Sequence, residues 1–437
     1  MTSPNKQPTE IWRWFKALHV TFLLFIVGAV GQYIFDLYVK HEILRNMHDS
    51  RLEYADFLLF YMGGLMASGK DALHFYEPSV QLHYINELLS PYSVAKPIVF
   101  HNVPFACLMM LPYVLMPAEP SYLVFITVTV ILSIVAVGFW FKYSTGLSWL
   151  NRLIVYLHAM ASYWSLTNLR MGQHAWNYAS LLSLYLFGIY NRLDLVGGIA
   201  LAWLTLKPHY TAFFALPAIC NKRFKLLVIG GVCELVLLAG AAYKIGRENV
   251  LNYPQVVLHA DASDQVLGID AYKMVCLRGV LSVFLPQEVA LKIGLFSMLG
   301  GLILAILIWF ATVRAKLRTL NEQRWALSAT VILCLTCSPH THQYDLLLLT
   351  PLAFTVFPKL SHSDSPECSD EQEPPSRCYT LWRLMLCAYP MCSWVIIIGG
   401  AIVKVSPFTV MFLINVILAV LAVTLWCRQM KRLRARV

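Results

Sequence analysis

Tyr122-Leu-Val-Phe-Ile-Thr-Val-Thr-Val-Ile-Leu-Ser-Ile-Val-Ala-Val-Gly-Phe-Trp-Phe141 runs for twenty residues without a charge or a proline. A helix of that length reaches about 30 Å, the thickness of a bilayer's hydrocarbon core. The stretch does not alternate apolar with polar residues, so it does not read as a barrel strand. A helix satisfies its own backbone hydrogen bonds and is the simplest unit that can sit in lipid. Similar runs recur at 19–37, 100–116, 153–166, 178–190, 195–219, 224–243, 290–313, 325–337, 346–357, 381–403 and 408–426.

Composition supports this reading. The chain has 437 residues, 58% hydrophobic and only 13% charged, whereas soluble domains carry about 25% charged residues. The expected fold is an all-α polytopic membrane protein, a bundle of about 10–12 transmembrane helices. The formal net charge of +10 does not point to nucleic acid. Its basic residues cluster at span ends, as in Lys222-Arg223, Arg314-Ala-Lys316 and Arg428 to Arg436, which is the positive-inside pattern. The apolar run after the basic segment 1–16 is long for a signal-peptide core and is read as a retained span. Most of the eleven cysteines lie in apolar runs, and no disulfide framework is visible. Cys334-Leu-Thr-Cys337 has redox or metal spacing but no second pair beside it.

The long polar stretches divide the chain. Residues 1–243 form an N-terminal membrane module that includes a first large outer loop, 41–97. Residues 244–288 form a second outer loop. Residues 289–437 form a C-terminal membrane module, with an acidic, Pro- and Ser-containing linker at 361–377 whose composition suits no fold. Both large loops are expected on one face, opposite the basic span ends.

Within the first loop, Glu53-Tyr-Ala-Asp56-Phe57-Leu-Leu-Phe60-Tyr61 places a carboxylate at the head of an apolar run. Asp56 could cap the following helix, or desolvation could raise its pKa and make it a proton acceptor. Gly64 to Lys70 superficially resembles a phosphate loop, but Asp71 stands where Ser or Thr would be needed, and no strand precedes it. Lys207 lies within an apolar run, where a cation is costly and usually faces a pathway or site. The plainer reading, snorkelling to an interface, fits poorly mid-run. A proline at 208 leaves two placements open: a kinked span, or two short helices that bring Lys207 to the surface. Arg170 sits nearer a span end, and His340 and His342 lie where a span meets the outer face. A carboxylate, cations and histidines at one face suit group transfer from a lipid-linked phosphate. The leaving phosphate needs positive charge and hydrogen-bond donors, and the incoming hydroxyl needs a base. No Asp-x-Asp pair and no zinc-type histidine spacing occurs, so no metal and no cofactor is expected.

Several short motifs occur in order: Asp56-Phe57 with Phe60-Tyr61, Gly69 and Tyr76; Gly172-Gln173 with Asn177; Lys207-Pro208; Leu277-Arg278-Gly279; and Ser338-Pro339 with Tyr344-Asp345. With them the chain resembles glycosyltransferase family 87, integral-membrane enzymes of the GT-C class that include polyprenyl-phosphate-mannose-dependent mannosyltransferases. Two positions depart from the family pattern: His209 follows Lys207-Pro208 where glutamine is common, and His174-Ala175 follows Gln173. The resemblance extends to about residue 357, and the last two spans carry no matching motif. It implies a GT-C-type bundle and a polyprenyl-phosphate sugar donor, with mannose as the expected hexose. It further implies a lipid-linked or glycan acceptor, an inverting single displacement, and an active site on the periplasmic face of a bacterial inner membrane. Carried to this sequence, it makes Asp56 the base with His340 or His342 assisting. Lys207, Arg170 and Arg278 would then serve the donor phosphate, and Tyr61, Gln173, Asn177, His209 and Tyr344 the substrates. A transporter or lipid flippase is the rival reading; it predicts inverted repeats and short loops, and neither is evident. A non-catalytic assembly factor would tolerate loss of Asp56.

Overall fold

The computed structural model describes residues 55–91, 93–95, 100–262, 271–358, 377–403 and 406–435. The expected first span at 19–37 and nearly all of the acidic linker lie outside these residues. Among the described residues there is no β-strand, and two isolated bridges join Thr145 to Pro358 and Met274 to His342.

The first outer loop folds as helix α1 (Ala55–Ser68), a 3-10 turn and helix α2 (Pro78–Leu89), which begins on a proline. Proline is suited there because a helix's first N–H groups have no partner anyway. The apolar run 100–116 is not one helix. Its prolines remove donors and crowd the preceding turn, leaving α3 (Ala106–Met110) and a 3-10 turn at Tyr113–Leu115. The long run quoted above is α4 (Ala118–Ser144). The run 153–166 also divides, into α5 (Trp149–Met160) and α6 (Tyr163–Met171), with the Ser162 hydroxyl accepting from Ser165 N at 3.2 Å to start the second helix. Helix α7 (Ala175–Tyr190) follows.

At 195–219 the structure selects the broken alternative. Helix α8 (Asp194–Leu204) ends before Lys207, and α9 begins at Pro208 (Pro208–Cys220). Pro208 disfavours helical geometry at the residue before it, and Lys207 is extended, with φ −120° and ψ 86°. Then come α10 (Phe224–Ile245), α11 (Arg247–Ala262), α12 (Leu277–Leu281), α13 (Gln287–Arg314) and α14 (Leu320–Cys337). Residues Gln343–Thr355 form a 3-10 helix, and α15 (Arg377–Val403) and α16 (Pro407–Ala435) complete the chain.

Among the described residues, α4, α10, α13, α15 and α16 are long and apolar enough to cross a membrane. Much of their outward surface is apolar, for example Ile131 and Leu132 on α4, Val228 on α10 and Phe296 on α13. At one end of the bundle, Tyr190 closing α7 donates to the Gln323 side chain near the start of α14 at 2.5 Å, and Asn221 closing α9 bonds the same glutamine at 2.9 Å. Arg223 pairs with Asp194 there. At the other end, Lys207, before α9, meets Asp345, after α14. The basic helix ends at Lys222, Arg223 and Arg314 thus lie opposite the end where both large loops converge.

Small residues let three helices approach closely. A Cβ on Gly188 of α7 would lie 2.6 Å from Gly197 Cα on α8, and one on Gly198 would lie 2.7 Å from Ile229 of α10. Gly197 itself is covered by Leu226. In lipid such close packing replaces the hydrophobic drive that water supplies to soluble folds. Gly197→Val is expected to destabilise the bundle by about 1–3 kcal/mol through overpacking. Thermal unfolding in detergent would check this, and an unchanged midpoint would mean the seam is looser than described.

Candidate active site

Asp56 sits in the first turn of α1, where its charge complements the helix N-terminus. Its neighbour Phe57 is buried against Tyr122 and Phe125, with ring centroids 5.2 and 5.6 Å away. Gly172 ends α6 in the left-handed region, with φ +64°. Any Cβ at this position would strike the Phe57 side chain. Glycine therefore does two things here: it permits the turn, and it lets the end of α6 close onto α1. The turn is pinned by Asn168, whose carbonyl accepts from Gln173 N at 2.9 Å and whose side chain accepts from Ala175 N at 2.7 Å. Gln173 is thereby aimed at Asp56, and its side chain hydrogen-bonds the carboxylate.

Burial pushes the Asp56 pKa up to about 6, against the opposing pull of the Gln173 hydrogen bond and of Lys207 and Lys273. The carboxylate is thus a stronger base than an exposed aspartate, yet ionised at neutral pH. Beside it, His174 is packed between Phe60 and Phe125, at 4.2 and 5.1 Å. Burial, with Lys207 nearby, drives its pKa down to about 3, so it is a neutral imidazole.

Lys207 extends from the α8–α9 break to Asp345, with Nζ 2.5 Å from Oδ1. Asp345 is completely buried, and its other oxygen accepts from His342 N at 2.9 Å. Three tyrosine rings, Tyr178, Tyr210 and Tyr344, surround the ammonium at 5.3, 5.2 and 5.5 Å. Their faces are electron-rich and favour a cation. Tyr344 in turn stacks on His342, with centroids 5.3 Å apart and planes 16° from parallel. Burial holds His342 well below the usual histidine range, reinforced by Lys207, His340, His101 and Arg278.

The second outer loop enters through a short strip. Val275 N donates to Thr341 O at 2.7 Å, beside the Met274–His342 bridge. Gly279 turns the chain tightly over the Met274 carbonyl. Between them Arg278 is fully buried, its guanidinium 3.1 Å from His340 Nε2. The His340 ring lies 5.9 Å from that of His209.

The structure thus gathers Asp56, Gln173, Lys207, His209, Arg278, His340, His342 and Tyr344 at one end of the bundle. The other three expected site residues are Tyr61, Asn177 and Arg170. The Tyr61 hydroxyl donates to Met116 O at 2.7 Å, tying α1 to the chain before α4. Asn177 bonds His174 Nδ1 at 3.1 Å. Arg170 lies at the end of α6, where its carbonyl accepts from Tyr122. Residues not singled out as site members also belong: Asp345, Lys273, Tyr178, Tyr210 and His101. Asp345 is itself a motif residue, Tyr178 adjoins one, and Tyr210 follows Lys207 by one helical turn. Nothing in the sequence pairs Lys273 with Asp56, because they lie on separate loops.

The Lys207–Asp345 pair joins two breaks in the bundle, and removing one partner leaves a buried charge uncompensated, typically costing about 3–5 kcal/mol. Lys207→Met is therefore expected to lower thermal stability strongly, with the double variant Lys207→Met/Asp345→Asn recovering much of the loss. A double variant as unstable as the sum of the single ones would show that the two side chains are not coupled.

No curated protein and no solved structure matches the chain. The profile of glycosyltransferase family 87 matches residues 100–339, more than half of the sequence. That stretch contains Gln173, Lys207 and Arg278, and it ends at Pro339, immediately before the two histidines. The chain belongs to glycosyltransferase family 87 and is a membrane glycosyltransferase.

Proposed function

We propose that the enzyme transfers a hexose, expected to be mannose, from a polyprenyl-phosphate donor to a hydroxyl of a lipid-linked or glycan acceptor, with inversion at the anomeric carbon. The observation that carries this reading is the pairing, within one site, of a desolvated carboxylate with a caged ammonium. The acceptor oxygen attacks the anomeric carbon while its proton passes to Asp56. The bond from that carbon to the phosphate oxygen breaks, and polyprenyl phosphate departs with the electron pair. Lys207 faces the developing negative charge. It spends one of its three N–H donors on Asp345, leaving two for phosphate oxygens. His342, held neutral, serves as a hydrogen-bond partner in place of a second cation, and Arg278 with His340 extends the donor side. The site is assigned to the outer face, because the opposite helix ends carry the basic residues.

Asp56→Asn keeps the shape of the side chain and removes its basicity. Transfer is expected to fall by about 10²–10⁴-fold, the usual scale of general-base loss, with expression unchanged. In the parent enzyme kcat/KM should rise with pH through an apparent pKa near 6. The Gln173 hydrogen bond stabilises the ionised form, so Gln173→Leu should move this limb to higher pH. Near-normal turnover by Asp56→Asn, or a limb that Gln173→Leu leaves in place, would assign the proton transfer to another group.

Orientation is tested separately. Single cysteines introduced at Ser50 and Ala262, in an otherwise cysteine-free background, should react with an impermeant maleimide from outside. Reaction only after permeabilisation would reverse the assignment.

A further inference from the structure

The last two helices lie beyond both the family match and every sequence motif. They nevertheless reach the site. Helix α16 packs against α14 and α15, and also against α12, the short helix that carries Arg278. On the face of α16 turned to α12 stands Asn415, an amide with no exposed surface. Tyr389 of α15, itself buried, places its hydroxyl 3.1 Å from Asn415 Oδ1 and equally 3.1 Å from Met411 O on the same helix. With Oδ1 taken, the Asn415 amide nitrogen points to Val275 O at 3.5 Å. The other polar group of the Val275 backbone, its N–H, is used on Thr341. The strip Met274–Val275–Cys276 is therefore held on two sides. The turn carrying His340 and His342 lies on one side, and an asparagine of the last helix on the other.

A polar side chain buried in a membrane bundle is kept only where it finds partners. Asn415 finds its partners on two other elements, and one is the backbone that sets the position of Arg278. We propose that Asn415, oriented by Tyr389, is a positioning residue: it seats the second outer loop so that Arg278 and Lys273 stand in register with His340, His342 and Asp56. This rests on the site described above and gives the C-terminal helices a task in it. The residues act through the loop backbone and touch neither donor nor acceptor.

Cys276 supplies a local reporter. It is fully buried and adjoins Val275, while Cys334, equally buried, lies in the last turn of α14 and not in the loop. In the full-length purified enzyme, maleimide modification of each cysteine can be followed by peptide mass spectrometry. Asn415→Leu keeps the side-chain volume and removes both polar groups. It is expected to raise the rate of Cys276 modification severalfold and leave Cys334 protected. Tyr389→Phe, which frees the amide to turn, is expected to give a smaller rise. With a polyprenyl-phosphate sugar as donor, kcat/KM should fall by up to about 10²-fold, the scale of a 1 Å misplacement, and the donor KM should rise. Unchanged Cys276 protection in both variants would overturn the proposal. Exposure of Cys334 together with Cys276 in both would also overturn it, because the two residues would then serve the fold at large. Because labelling needs no turnover, failure of the donor reading would leave the loop result standing.

Discussion

Lys207 and Asp345 form an ion pair that neither partner could do without. Each occupies a break in the helical bundle: Lys207 the gap between α8 and α9, Asp345 the start of the 3-10 helix. A lone carboxylate with no exposed surface would be costly there, and so would a lone ammonium. Together, with three tyrosine rings and the His342 backbone N–H, they make the site end of the bundle electrically tolerable. The other features of the site follow from this pair. The His340–Thr341–His342 turn is set by Asp345, the Met274–Cys276 strip is set by that turn, and Asp56 lies in the field of Lys207.

The arrangement gives the two carboxylates different characters. Asp345 is compensated by direct contact with a cation. Asp56 has one amide hydrogen bond and more distant cations, so burial dominates and its pKa rises to about 6. One acidic group is committed to structure and the other is left basic. Divergent environments of this kind distinguish an acid–base group from a scaffold group in many enzymes.

Much of this was legible in the residues. The uncharged run 122–141 lies within a single 27-residue helix, and Asp56 does open an apolar helix. Lys207 was conspicuous because a cation in an apolar run needs an explanation. Other features were not legible, for physical reasons. Periodicity and hydropathy cannot distinguish one span from two short helices, and runs 153–166 and 195–219 divide at local capping and proline geometry. Ten to twelve spans were expected; among the described residues five helices meet the length and hydropathy of a span, and the other helices are shorter. Tyr61 and Asn177 looked like site residues; the Tyr61 hydroxyl donates to Met116 O, and the Asn177 amide nitrogen bonds His174 Nδ1. Lys273 and Asp345 belong with Asp56 and Lys207 only through tertiary packing, which no spacing along the chain records.

The central claim is that this end of the bundle pairs a base with a phosphate-holding cation to move a sugar from a lipid phosphate with inversion. The most direct measurement gives the purified protein a synthetic polyprenyl-phosphate mannose of known anomeric configuration, together with extracted membrane lipids and glycans as acceptors. The configuration of the product's new glycosidic bond is then determined by NMR. The account predicts transfer from this donor, with the anomeric configuration opposite to that of the donor. A product that retains the donor's configuration, or transfer from a nucleotide sugar alone, would contradict it.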